Sequence, residues 1–135
     1  MGTGWQLRYV PPAAPGTPDT AGTVERMIAD IFARIISEMS QWEAESDLSR
    51  FNRAPVGQWR ALPPDILRVL RFGIQVAEAS GGTFNPSMGV LSDLWGFGAA
   101  PRDRDVLPDA YTLAQAAEDA TPGAIEIDTL LQRAR

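Results

Sequence analysis

Residues Met39 to Asn52 read MSQWEAESDLSRFN, and the fold turns on what this stretch is. Upstream, Val24, Met27, Ile28, Ile31, Phe32, Ile35, Ile36 and Met39 recur at intervals alternating between three and one. That is the spacing of one apolar stripe, and it predicts a helix from about Ala21 to about Ser40. The stripe ends at Met39. Acidic and hydroxyl groups around one tryptophan and one phenylalanine follow, so Gln41 to Asn52 are expected to form a surface loop and not a further length of core helix.

Working outward, Trp5 to Val10 alternates apolar and polar residues and reads as a short strand, with Trp5, Leu7 and Tyr9 on one face. The prolines of PPAAPGTPD then force a loop. Downstream, Gln58 to Leu62 (QWRAL) reads as a strand. A second helix starts at Leu62-Pro63-Pro64-Asp65 and runs to about Ala79, carrying Ile66, Leu67, Leu70, Ile74 and Ala77 on one side. Ser80-Gly81-Gly82 stops it. GGTFNPSMGVLSDLWGFG is rich in glycine, and its LWGFG reads as an aromatic core plug. Pro108 to about Asp119 predicts a third helix, and Ala124 to Ile127 a strand after the Pro122-Gly123 turn. The expected class is α/β (α+β), helices packed on a small sheet.

At 135 residues the chain is the size of one domain, and 44% hydrophobic against 21% charged residues predicts that it folds. A net charge of −5 with no arginine-rich block argues against nucleic acid as a partner. All twelve basic residues are arginine; lysine, histidine and cysteine are absent. Disulfides, thiolate or imidazole catalysis and Schiff bases are thereby excluded, which leaves carboxylates, hydroxyls, amides and arginine to carry any chemistry of these residues. MGTGWQLRYVPP has no apolar signal core and no apolar run reaches the ~18 residues of a membrane span, so the chain as written is expected to be soluble and cytoplasmic, without signal or lipid anchor.

Two segments offer chemistry, and each has two readings. Ser46, Asp47, Ser49 and Asn52, beside Trp42 and Phe51, fit a small-molecule site with a stacking ring, or a helix cap with a core-filling phenylalanine. GGTFNPSMG permits close backbone approach to a ligand, or is a helix C-cap followed by a turn; it is no phosphate-binding motif. Asp103 and Asp105 in APRDRDVLP read as a solvated charged loop.

MGTGW, MSQWEAESDLSRFN and VAEASGGTFNPSMGVLSDLWGFG, in this order and at these separations, closely resemble the N-terminal half of the ApbE family of flavin transferases (FAD:protein FMN transferases), over Met1 to about Asp128. The resemblance implies FAD as donor, transfer of FMN onto a threonine of an acceptor flavoprotein, and a requirement for Mg²⁺. It implies that Trp42 lies against the isoalloxazine ring, that Met1 lies near the flavin, that Thr83, Phe84 and Asn85 line the nucleotide, and that Asn52 faces the site. Asp128 matches the first of the family's Mg²⁺ ligands, but TLLQRAR lacks the glycines and lysine expected next. The expectation is a single, incomplete ApbE-like domain over residues 1–135, the second half of the family fold absent. It would be the FAD-binding portion of a transferase, not competent alone, with a complementing C-terminal half as a further partner. A non-catalytic flavin-binding or protein-interaction remnant is the alternative. Family members are often periplasmic or membrane-anchored.

Overall fold

A computed structural model describes residues 4–10, 20–99, 106–121 and 123–135. The apolar stripe forms α1, Thr20–Met39, close to the expected bounds. From Ala21 onward none of its residues is fully buried, and Met27 and Ile31 remain 59% and 45% exposed. Trp5 covers part of the stripe, its ring meeting Phe32 edge-on at 5.5 Å between centroids. The expected strand over Trp5–Val10 does not form: these residues have no regular structure. Alternation fits the segment for a ladder, but a ladder needs a hydrogen-bonded neighbour, and none pairs with it among the described residues.

The expected loop over Gln41–Asn52 is corrected in its second half. Residues 41–46 do turn away from α1, whereas Asp47–Asn52 form a short helix, α2. Ser46 is its N-cap, with extended backbone and a hydroxyl that accepts from the Ser49 amide at 3.0 Å. The same hydroxyl donates to the Ser40 carbonyl at 2.5 Å, and the Ser49 hydroxyl donates to that carbonyl at 3.2 Å. Ser40 in turn accepts the amides of Trp42 and Glu43 on its own hydroxyl. Three serines thus satisfy the backbone at a corner where α1 has ended and α2 has barely begun, and Ser46 is wholly buried there.

Strand β1, Arg60–Ala61, leads into α3, Pro64–Ala79, whose Pro64 needs no amide donor at the first helical position. Ile66 and Leu67 of α3, Leu62 before it and Ala134 form the buried core, against which Met39, Phe51, Leu70 and Ile127 pack. Gly81 and Gly82, at φ of 61° and 86°, end α3 by donating to the Glu78 and Ala77 carbonyls. This left-handed reversal explains both glycines without a ligand. α4, Gly89–Leu94, was not expected. Its neighbour LWGFG is no core plug, since Trp95 and Phe97 are 46% and 69% exposed. α5, Ala110–Asp119, is capped by Asp109, which accepts the Thr112 amide.

Strands β2, Ile127–Asp128, and β3, Arg133–Ala134, complete an antiparallel sheet of order β1-β3-β2. Arg60, Ala134 and Ile127 lie in register across it. On the opposite face from Ala134, Arg133 and Arg135 stack over Trp59 at 4.6 and 4.8 Å, and pair with Asp128 and Glu126. The apolar and charged faces of so short a sheet follow from strict alternation around β3. The expected strand at Ala124–Ile127 is displaced towards Asp128: Glu126 exchanges both backbone hydrogen bonds with Arg135 next to β2, whereas the Ala124 amide is taken up in a turn by the Thr121 carbonyl.

Ser46→Ala removes a helix cap and one of the two hydroxyls on the Ser40 carbonyl. It should lower stability by about 1–3 kcal/mol, read as a lower urea midpoint with an unchanged slope. An unchanged midpoint would show that the serine corner carries no weight.

Candidate functional site

The two candidate segments face each other. One hollow of about 430 Å³ runs between Gln41, Leu48, Phe51 and Asn52 on one side and Pro86, Ser87, Gly89, Val90 and Asp93 on the other, with Ala124 and Ile125 also lining it. A second, of about 490 Å³, shares Gln41, Asn52, Pro86, Gly89 and Asp93 with it and adds Ser49, Arg53, Asn85, Met88, Ser92 and Ala99. Together they form one cleft. α2 supplies the first wall, because its cap at Ser46 turns Phe51 towards the core and leaves Asn52 at its last position, exposed. α4 supplies the second. Gly89, Val90 and Asp93 recur at helical spacing and line the cleft together, and Gly89 adds no side chain to block it.

Asn85 fixes the second wall in place. Its amide nitrogen donates to the Ala120 carbonyl at 2.6 Å, past the end of α5, while its oxygen accepts the Ser87 amide at 2.9 Å. Both ends of that side chain are therefore occupied in building the wall. Buried in the same wall, the Ser87 hydroxyl has no hydrogen-bond partner among the described residues. A buried hydroxyl without a partner marks a place for water or a ligand atom. Asn52, Gln41 and Asp93 also have uncommitted side-chain polar groups among the described residues.

Of the residues expected at a site, Asn52 and Asn85 line the cleft. Trp42 does not. Its indole, 67% exposed, borders an adjoining groove of about 210 Å³ with Ile35, Ile36, Met39, Ser40 and Gln41. Gln41 is common to groove and cleft, which puts the ring at the cleft's rim. Thr83 and Phe84 line neither; Phe84 is 47% exposed and lies beside Gly73 of α3. Met1 lies outside the described residues, as do Asp103 and Asp105. Gln41, Pro86, Gly89 and Asp93 were missed from sequence. The one available signal was the four-residue step from Gly89 to Asp93, hidden because GVLSDL is too short to show a helical period.

Asp128 is the last residue of β2, at the entrance to the turn before β3. Its Oδ1 accepts the amides of Leu130 and Leu131 at 3.1 and 3.0 Å, and its Oδ2 accepts from Arg133 Nε at 3.1 Å. These donors, the Leu131 amide foremost, hold its carboxyl below the ordinary value near 3.8. A Mg²⁺ ligand needs oxygen lone pairs facing the ion and further oxygens in an octahedron. Among the described residues no group of three acidic side chains could hold a metal ion, and the Asp128 carboxylate, engaged by three donors, does not make such a site as it stands.

The ApbE family profile matches residues 1–135. The chain belongs to the ApbE family. It is 31% identical over 108 residues to an FAD:protein FMN transferase of Vibrio cholerae, and 27% over 120 residues to one of Haemophilus influenzae, covering 80% and 86% of this chain but only 31% and 34% of theirs. This ApbE chain thus spans about a third of the curated relatives it matches. The solved flavin transferase ApbE of Vibrio cholerae superposes with a TM-score of 0.80 at 26% identity, over 90% of this chain and 38% of that one. The apo flavinyl transferase ApbE of Pseudomonas stutzeri, at 24% identity and a TM-score of 0.79 over 88% of this chain and 39% of that one, shows the same fold. The expected class, helices with a small sheet forming part of the ApbE flavin transferase fold, is the one observed.

Because the Asp128 carboxyl is lowered in the folded state, its contribution to stability is present above the ordinary carboxylate value and is lost as pH falls through the lowered one. The stability gap between the native chain and Asp128→Asn should close on acidification below about pH 3.8. Thermal unfolding followed by circular dichroism across this range reads it, and a gap that persists at the acid end would assign the effect to something other than the carboxylate.

Proposed function

We propose that this chain is the flavin-binding portion of an FAD:protein FMN transferase. The observation that carries the reading is the cleft, whose two walls are the two long segments through which the sequence resembles the family. The family's activity would break the anhydride of FAD, release AMP and leave the FMN phosphate joined to a threonine oxygen of an acceptor flavoprotein. In that reading the cleft binds and orients FAD. Apolar walls at Leu48, Val90 and Ile125 suit the ring system, and Asn52, Gln41 and the unpartnered Ser87 hydroxyl suit its polar edge. Trp42 at the rim offers an exposed aromatic face for stacking. Thr83 and Phe84 come next to the cleft wall in sequence, and Met1 remains a proposed flavin neighbour.

Mg²⁺ belongs to the reading through the family alone, and no step is assigned to it on these residues. We therefore expect the 135 residues, given FAD, Mg²⁺ and an acceptor flavoprotein, to transfer little FMN by themselves. A chain carrying the rest of the family fold should restore transfer, and failure to do so would favour a flavin-binding remnant. In-gel flavin fluorescence of the acceptor reads both outcomes; a labelled acceptor formed by the 135 residues alone would overturn the expectation.

Stacking of a flat ring on an aromatic side chain is worth about 1–3 kcal/mol in single-stranded nucleic-acid sites. By that analogy Trp42→Ala should weaken FAD about tenfold in a fluorescence titration. An FAD affinity that does not change removes Trp42 from the site, and failure of the native chain to bind FAD overturns the reading as a whole.

A further inference from the structure

α4 places one carboxylate in the cleft wall, that of Asp93, which borders both hollows. It has no hydrogen-bond or ion-pair partner among the described residues, although Arg53 borders the second hollow as well. Arg53 is occupied elsewhere, donating to the Ala44 carbonyl at 2.6 Å with Glu45 at 3.9 Å. The Asp93 side chain fills the space beside Gly98. A Cβ on Gly98 would collide with its Oδ1, meet its Cγ at 2.5 Å and come within 3.1 Å of its Cα. Gly98 is not one of the left-handed glycines, so the backbone there would accept alanine; what requires glycine is the space taken by the carboxylate. Gly98 therefore gives the Asp93 side chain room for this position, and a Cβ there would displace it.

A carboxylate accepts hydrogen bonds and repels phosphate oxygens. Its ligand must present an N–H or O–H donor, and the anionic part of that ligand must lie elsewhere along the cleft. We propose that Asp93, given room by Gly98, is a positioning and specificity residue that accepts a hydrogen bond from one end of a dinucleotide. In FAD the donors are the imide N–H of the isoalloxazine and the ribityl hydroxyls at the flavin end, and the exocyclic amine and ribose hydroxyls at the adenosine end. The proposal rests on the reading of the cleft as an FAD site, and it adds the direction in which the dinucleotide lies.

The test is titration of the 135-residue chain and its Asp93→Ala variant with FAD, FMN and ADP. Loss of a hydrogen bond to a charged group should weaken FAD about tenfold. The loss should appear with FMN and not ADP if the flavin end is read, or with ADP and not FMN if the adenosine end is. Asp93 is on the exposed side of its helix, and alanine is a good helix former, so the variant should melt with the native chain. Gly98→Ala should weaken FAD to a similar extent in the native background and add almost nothing in Asp93→Ala, where the colliding carboxylate is gone. FAD binding that does not change in Asp93→Ala overturns the proposal while leaving the FAD site standing. Additive losses in the double variant overturn the role of Gly98. A native chain that binds none of the three ligands overturns both the site and the proposal.

Discussion

The Ser40 carbonyl, left beyond the end of α1, accepts the hydroxyls of Ser46 and Ser49, and the path of the chain from the long helix to the cleft depends on that pair of bonds. A buried carbonyl without a donor costs about 1–3 kcal/mol, and a helix as short as α2 has too few internal bonds to fix its own direction. The serines answer both problems. Ser46 satisfies the carbonyl and caps α2 with one hydroxyl, so the direction of α2 is set from outside the helix. Phe51 then reaches the core and Asn52 the cleft, and neither would follow if the corner were free to open.

The core behind this corner is small. Leu62, Ile66, Leu67 and Ala134 are buried, and each comes from a different point of a short path through β1, α3 and β3. Ala134 is fully enclosed because β3 is the central strand, with β1 and β2 on its two sides. The other face of the sheet is charged, yet its arginines are neutralised by Asp128 and Glu126 and packed on Trp59. Exposed ion pairs contribute little each, so the sheet is held by its ladder, by Ala134 and by the arginine stems covering the indole.

Polar side chains near the cleft fall into two groups. Asn85, Ser46 and Ser49 have their capacity used by the backbone and serve to hold the walls. Asn52, Gln41, Asp93 and the Ser87 hydroxyl have capacity left, and they are the groups that face the hollow. The separation matters for interpreting substitutions: replacing Asn85 should disturb the link to α5 before it disturbs any ligand. Loss of binding on replacing Asn85 is therefore weak evidence of contact.

The sequence by itself determined the elements whose signal is local. The three-and-one spacing placed α1, the Pro63-Pro64-Asp65 start and Ser80-Gly81-Gly82 stop bounded α3, and the run from Pro108 to Asp119 placed α5. The motif order carried the ApbE family and the class of fold. Whatever depends on a distant partner was decided by the tertiary structure. Trp5–Val10 has a strand's alternation but no neighbour to pair with among the described residues, and LWGFG has a core's aromatics but leaves Trp95 and Phe97 exposed. MSQWEAESDLSRFN held both of its readings open because a capping serine and a ligand-binding serine are the same residue. Only the position of the Ser40 carbonyl made Ser46 and Ser49 structural, and only the approach of α4 made Asn52 and Asp93 the two sides of one cleft.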